Sequence, residues 1–547
     1  METRKITTDV LVIGGGVAGL MAAIKSEEQG KETIVVDKSN PRRSGNASTG
    51  NDHFLCYIPE IHGKINNILE EAMQSILGSL QEKELVKKCL QQSLNRVKDW
   101  ERWDIPMKFD GEEYEFAGHA FPDHPRIFLK FKGKNLKPTL TKKALTEGAT
   151  IESRCMMTDL LVQEGKVIGA LGVNTREKRM TIFQAGNVIL TTGMPTRLYP
   201  PITPEQSFNR SHAPHNTGDG IGMAYRGGAE LVNMEIPYRH AGPKLFARCG
   251  KATWIGLLKD SEGEILNPFL ETPSKKYGDI SPDVWPNLFE EKKKKGNSPV
   301  YIDCRDISKE DKEYMKKGLE HEGNTALLEY MEREEIDFQS DKIIFTNYEI
   351  CPYGGIKINK KAEASLDGLY AAGDTVGNFW GGIGGAAVYG WIAGKNADNS
   401  VKKSQICSDD LSVIEERKKV CRKILSRNYG AKWKETSAAL QQIMQDYAGK
   451  TRSQNSLSAG LKNLRRLRNK SLNELTAENP HELMRCLEVL NLIDVGELVF
   501  LTAMKRKETR KPHVSVDYKY TNPKMNRFLI VKQVKGEPII EWGKKFP

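Results

Sequence analysis

Short apolar runs of strand type alternate along the chain with glycine-rich turns and with segments of helical period. Residues 9 to 13, Asp-Val-Leu-Val-Ile, read as a buried strand that leads directly into Gly14-Gly15-Gly16-Val17-Ala18-Gly19 and an apolar-periodic helix reaching Gly30. Thr33-Ile-Val-Val-Asp37 reads as a second strand ending in an acid. The same order returns late in the chain. There Leu366-Asp-Gly-Leu-Tyr-Ala-Ala-Gly373-Asp374 joins a strand to a glycine and an acid, and Gly381-Gly-Ile-Gly384-Gly385-Ala386 opens an apolar helix. From residue 407 to about 502, leucine, arginine and lysine recur at helical spacing, which predicts a helical bundle. The longest apolar stretch, residues 10 to 24, is shorter than the roughly 18 residues of a membrane span. It also carries four glycines, so direct membrane insertion is not expected.

The first strand, turn, helix and strand carry chemistry together. Glycines at 14, 16 and 19, with Val17 and Ala18 in the same turn, let the backbone approach a pyrophosphate at a helix N-terminus, whose partial positive charge favours the anion. Asp37, 18 residues beyond the last of these glycines, can accept from a ribose hydroxyl. A Gly-x-Gly-x-x-Gly alone is weak evidence; the flanking strands, the helix and the acid make it a dinucleotide site. A site split between this unit and a late Gly373-Asp374 is the habit of FAD-dependent oxidoreductases.

Composition narrows the class. The 547 residues make roughly three or four compact units, and 39% apolar with 28% charged residues at a mean hydropathy of −0.52 fit a soluble globular enzyme. Nine scattered cysteines without a Cys-x-x-Cys pair fit neither a disulfide framework nor a zinc or iron–sulfur ligand set. No metal site is expected in this chain, and any cluster would sit on a partner. The run Gly118-His-Ala-Phe-Pro-Asp-His-Pro-Arg126 lacks helical histidine spacing and is not read as a zinc site. No small-residue cleavage site follows the N-terminus, so a cytoplasmic location is the default expectation. The net charge of +11 is uneven, with 12 Lys and Arg against 4 Asp and Glu in the last 47 residues. That stretch reads either as a solvated tail or as a docking strip for an acidic protein. Nucleic acid is not expected, because no recognition motif accompanies the charge.

Taken in order, these blocks resemble the flavoprotein subunits of the fumarate reductase and succinate dehydrogenase family, and within it the alpha chains of adenylylsulfate reductases. The resemblance implies an α/β fold, with a Rossmann-like FAD-binding domain, an inserted α+β capping domain and a C-terminal helical domain. The divisions expected are 1–230 with 345–405 for FAD, 231–344 for the cap, 406–502 for the helical domain and 503–547 for a basic tail. Its implied FAD contacts begin with Lys38, Arg43, Ser44, Gly45, Asn46, Ser48, Thr49, Gly50 and Asn51 on and beside the loop Arg42-Arg-Ser-Gly-Asn-Ala-Ser-Thr-Gly-Asn. They continue with Thr192 and Gly193, with Asp219 in Thr217-Gly-Asp-Gly, and with the helix start at Gly384, Gly385 and Ala386. Arg485, Glu488 and Asn491, then Glu508-Thr-Arg510 and Asp517-Tyr, are similar to the family's C-terminal blocks.

Departures from the family matter as much. Its membrane-bound members place a histidine that bonds the flavin where this chain has Gly45, so dissociable, non-covalent FAD is expected. The dicarboxylate reducers hold their substrate with a His-x-x-Met-Gly-Gly segment and an arginine before a later Gly-Gly, because a dianion needs fixed donors at both ends. Here those positions read Cys351-Pro-Tyr353-Gly-Gly and Phe379-Trp380-Gly-Gly, which suits a larger, flatter or less doubly charged substrate. Arg239 becomes the candidate anion contact and His240 the candidate proton carrier, with His53 after the flavin loop, and Arg248 and Trp254 further along the presumed substrate region. The lysine run 290 to 296 reads as a solvated loop. The expected activity is exchange of electrons between a small anionic substrate at flavin N5 and a separate ferredoxin-like iron–sulfur subunit. Reduction of an activated C=C bond in an enoate is one alternative, and an electron-transfer subunit without its own substrate is another.

Overall fold

In the computed structural model, which describes residues 1–74, 80–117, 126–201, 212–244, 254–266, 288–397, 412–510 and 512–546, the separated motifs meet through strand register. Side chains at 71, 72, 74, 117, 239–241, 288 and 347–350 are outside the description as well. One sheet runs Thr150–Ser153, Thr33–Asp37, Glu2–Ile13, Arg179–Leu190, Lys166–Asn174, Cys155–Gln163, with Leu369–Ala371 also beside Arg179–Leu190. The strands around Glu2–Ile13 are parallel, and the last two of the row are antiparallel. Val10 to Ile13 and the whole of Thr33–Asp37 are buried, as parallel strands covered on both faces require. Ile13 lies opposite both Val36 and Leu190, and Leu190 opposite Ala371. Gly14, Asp37, Thr191 and Gly373 therefore leave the sheet at one carboxyl edge, where an open α/β sheet forms its crevice. Helix Gly382–Asn396 packs against helix Val17–Glu27. A Cβ at Gly390 or Gly394 would come 2.2 Å from the Ala18 or Ala22 carbonyl oxygen, so the glycines let the two backbones touch.

The cap is a second layer with its own core. Strands Pro237–Pro243, Ile343–Pro352, Val300–Asp303 and Leu257–Lys259 form an antiparallel sheet, with helices Lys309–His321 and Thr325–Arg333 beside it. Trp254 belongs to this core at 1% exposure, 5.4 Å from both Phe338 and Phe345, and its role is packing, which corrects the expectation of a substrate contact. The lysine run also differs from expectation. It lies largely in helix Leu288–Lys294, with Glu290 and Glu291 in the first turn and lysines in the last, as the helix dipole favours. Lys292 ties this helix to buried Asp260 at 2.6 Å.

Helices Ser412–Ser426, Trp433–Ala448, Gln454–Glu474 and Pro480–Lys505 follow. The last starts with Pro480 behind Asn479, whose side chain accepts from the Glu482 N–H, and it is buried on all sides, so its apolar residues show no single stripe. The basic C-terminal stretch is not a solvated tail. Its strands Arg527–Val534 and Glu537–Lys545 pair with each other, and Arg527–Val534 also pairs with Leu231–Val232. Arg506 is fully buried between Glu235 (2.6 Å) and Glu508 (2.8 Å). Burying the positive charge against two carboxylates explains how so basic a segment can fold inward. Among the described residues, no helix is long and apolar enough to cross a membrane.

Candidate functional site

The crevice at the carboxyl edge is a cavity of about 540 Å³ between the sheet, the loop 42–51 and the cap. Gly14 turns the chain there with φ +104°, and Asp37 receives the Gly15 N–H (2.8 Å), the Ser39 N–H (2.7 Å) and the Ser44 hydroxyl (2.8 Å). Helices Val17–Glu27 and Gly382–Asn396 begin at glycines 16 and 381 with no side-chain cap, and both starts border the cavity. Their unpaired N–H groups need acceptors, which a pyrophosphate at one and a flavin carbonyl at the other supply. The residues present fit FAD.

Most residues assigned to FAD by resemblance border this cavity. From the first unit these are Gly14, Gly16, Val17, Ala18, Asp37 and Lys38; from the loop, Arg43, Ser44, Gly45, Asn46, Ser48, Gly50 and Asn51; then Thr192, Gly193, Asp219, Gly373, Asp374 and Ala386. Others support it from outside the lining. Gly19 packs on the Gly14 carbonyl, Thr49 donates to the Glu322 carbonyl of the cap at 3.4 Å, and Gly384 and Gly385 close on Leu55 and the Phe379 ring. Asn46 holds two walls together, donating to Asp374 at 3.1 Å while accepting from the Ala213 N–H (3.0 Å) and the Asn216 amide (3.2 Å). Burial raises the Asp374 carboxyl above its ordinary value.

On the cap side, Tyr238 and Trp380 border the cavity with ring centroids 6.2 Å apart. Cys351, Tyr353 and Phe379 do not line it. Cys351 and Tyr353 sit in an apolar cluster with Met194 and Ile236, and Phe379 packs on Tyr389 at 4.7 Å. Burial drives the Cys351 thiol well above its usual range, which makes it a packed hydrophobe and not a reactive thiolate. Arg239 and His240 stand on strand Pro237–Pro243 opposite Glu349 and Tyr348. Their side chains lie outside the described residues, as do Arg248 and most of the 118–126 run.

His53 borders the cavity at the end of a chain of charged contacts. Its Nδ1 lies 2.8 Å from Asp52, whose other oxygen takes the Lys130 ammonium, and 3.9 Å from Glu322 of the cap. Asp52 is fully buried; burial opposes its charge, but Lys130 and His53 outweigh that and hold its carboxyl below the usual range. An ionised Asp52 accepting from Nδ1–H leaves Nε2, which has no hydrogen bond among the described residues, able to take or give a proton at the cavity.

Several lining residues were not singled out from the sequence. His212-Ala-Pro-His215-Asn216 precedes the Thr217-Gly-Asp-Gly block directly and so carried a local signal, and Asp52, behind the wall, lies between Asn51 and His53, which were singled out. Glu322 reaches His53 from a helix end in the cap, far along the chain, and Lys137, behind the lining, is a lone lysine inside a helix. Lys137 is 1% exposed with its ammonium on the Gly15 carbonyl; burial brings it down to about 7, against the pull of Asp37.

Comparison with known proteins agrees with this geometry. The chain matches the family model described as FAD binding domain over residues 9–387 and the one described as Fumarate reductase flavoprotein C-term over 437–542. A fumarate reductase (CoM/CoB) polypeptide of Methanothermobacter marburgensis is 25% identical, covering 98% of this chain and 99% of its own. Adenylylsulfate reductase from Archaeoglobus fulgidus superposes with a TM-score of 0.85 at 21% identity, over 100% of this chain and 97% of the other. An E. coli quinol fumarate reductase does so at 0.83 and 19%, over 100% and 97%. These two structures establish a shared fold, and the family models together with the cavity identify the cofactor as FAD.

Proposed function

Because the chain belongs to the fumarate reductase and succinate dehydrogenase flavoprotein family, we propose that it is the FAD-carrying component of an adenylylsulfate-reductase-like oxidoreductase. In this reading a small anionic substrate carrying a flat group binds over the flavin, and electrons pass to or from a separate iron–sulfur protein. The observation that carries it is the Tyr238–Trp380 pair on the cavity wall, with Trp380 standing where the dicarboxylate reducers place an arginine. Two adjacent rings tilted by 45° offer a planar group such as a purine an aromatic surface and provide no fixed charge for a second carboxylate. The seven described free cysteines are all buried, so a cluster on a partner is the natural electron route.

FAD supplies the two-electron redox chemistry when bound. Around it, Gly14 to Val17 would hold the pyrophosphate, Asp37 the ribose, and the start of helix Gly382–Asn396 the polar edge of the ring. Gly45 offers no side chain for a covalent link. Tyr238 and Trp380 hold the substrate's flat part, and Arg239 is the proposed anion contact. His53 moves the proton, with Asp52 fixing its tautomer and Lys130 keeping Asp52 charged. His53→Asn should lower turnover by about 10²- to 10⁴-fold while leaving the flavin absorbance bands in place. A loss below about tenfold would remove His53 from the proton path.

The reading is tested by photoreducing the FAD-loaded protein without oxygen and mixing it with adenylyl sulfate, fumarate or other enoates. Oxidised protein is mixed with sulfite plus AMP. Rapid change at the flavin band with the sulfur nucleotides alone is expected. Reoxidation by an enoate alone would overturn the reading in favour of C=C reduction, which the name of the Methanothermobacter relative and the His53 proton relay favour as a second reading.

A further inference from the structure

A second cavity of about 370 Å³ lies beside the first, sharing Lys38, Ser39 and His215 with it. Its remaining walls come from the turns after strands Thr150–Ser153 and Lys166–Asn174 and from the start of helix Pro480–Lys505, none of which borders the cofactor cavity with these residues. The charged lining is one-sided. Lys38, Arg154, Arg176 and Arg485 face it together with His215 and His481, and Glu488 is the single carboxylate on the wall. Counting the ion-pair partners Asp219 and Arg197 as well leaves five cations against two carboxylates.

One of these cations is held by a side-chain contact, and two stand on exposed residues whose backbone the fold fixes. Arg485 is 7% exposed and fixed by Glu488 at 2.9 Å. Arg154 sits in the left-handed region at φ 60°, held there by its N–H on the Ser39 carbonyl (3.1 Å) and by the Thr175 N–H on its own carbonyl (2.8 Å). Arg176 is anchored by its N–H to the Asn174 side chain at 2.8 Å. Neither the Arg154 nor the Arg176 guanidinium has an ion-pair partner among the described residues. The two histidines register the excess charge. Burial and Arg485 bring His215 down to about 4, and burial with Arg485 and Arg176 lowers His481 too.

From this geometry we propose that the second cavity is a binding site for a phosphate-type oxyanion, held between Arg154, Arg176 and Arg485 beside the cofactor. Guanidinium groups in a fork match the oxygens of a phosphoryl group, and a partly closed cavity strengthens each charge-assisted bond. The anion is either free phosphate or the phosphoryl group of a small metabolite such as a sugar phosphate. Lys38 and His215 belong to both walls, so the two cavities adjoin, and the proposed ligand lies beside FAD and not in its place.

The test is calorimetric titration of the FAD-loaded protein with inorganic phosphate and, separately, ribose 5-phosphate, which lacks the flat group of the proposed substrate, at constant ionic strength set with chloride and with the flavin band followed in parallel. One saturable site with the flavin retained is expected. Saturation by phosphate identifies the free ion as sufficient, and saturation by ribose 5-phosphate alone identifies a phosphoryl ester. The variant Arg154→Asn with Arg176→Glu, in which asparagine tolerates the left-handed backbone, should bind about tenfold or more weakly. The surface control Arg333→Glu should bind as the parent does. Binding only with release of flavin, equal binding by the double variant, or no saturation by either compound overturns the proposal.

Discussion

Replacing Gly14 with valine is expected to yield protein without FAD. At φ +104° a β-branched residue is strained by about 1–3 kcal/mol, and its Cβ would also stand 2.6 Å from the Thr191 carbonyl oxygen, a backbone atom that cannot step aside. Thr191 is fixed in turn, because its N–H donates to the Ile13 carbonyl at 2.9 Å in the sheet register that forms the crevice. The loop must therefore move, and with it the N–H groups of the helix start that the pyrophosphate needs. Absorbance of the purified variant near the flavin band, before and after incubation with excess FAD, measures this. Gly30→Ala is the control. It has a similar positive φ of 73° but open space where the Cβ would go, and it should keep its flavin. Full FAD occupancy in the valine variant would show that this loop does not carry the cofactor.

The second large effect is one of stability, at Glu488→Gln. Glu488 is fully buried and accepts from Lys38 (2.9 Å), Arg197 (2.5 Å) and Arg485 (2.9 Å), tying the helix Pro480–Lys505 to the wall of the cofactor cavity. Removing its charge leaves buried cations uncompensated, which costs about 3–5 kcal/mol. The pH dependence follows from the same contacts. Burial raises the carboxyl's pKa, but Lys38, Arg197 and Arg485 outweigh it and hold it well below its unfolded value of 4.5. The folded state thus binds the proton less readily than the unfolded one. The stabilisation is complete above the unfolded pKa and is lost as pH falls below it towards the folded pKa. Denaturant midpoints measured from pH 7 down to pH 3 should drop more steeply in the parent than in the glutamine variant, so the gap between them narrows in acid. A gap that stays constant with pH would mean that Glu488 does not act through its charge.

The cofactor half of the site was legible because its signals are local. Gly14 to Gly19, Asp37 and Gly373-Asp374 announce themselves by their neighbours, since each must end a strand, turn sharply or start a helix, and those demands restrict residue type at the position itself. The substrate half was legible as a family departure at Trp380 and in His53 directly after the flavin loop. Tyr238, Glu322 and the Asp52–Lys130 pair carry no spacing that marks them, because their partners come from other layers of the fold. Trp254 was misplaced for the matching reason. A tryptophan near a presumed substrate region looks the same in sequence whether it faces a ligand or, as here, fills the core of the cap between Phe338 and Phe345.

The basic C-terminus shows the same division. Its charge excess is readable from composition, yet Arg506, Glu508 and His513 are buried, and the strands beyond them complete a sheet begun at Leu231. The amino-acid sequence alone determined the dinucleotide chemistry, the order of the layers and the departure from the family motif at Cys351 and Trp380, since these rest on short-range backbone demands and on which side chains exist. The tertiary structure decided which charges neutralise one another, which histidine meets a buried carboxylate and which arginines converge on an open cavity. Those outcomes depend on distances between residues hundreds of positions apart, and electrostatic energy follows distance and burial, not sequence separation.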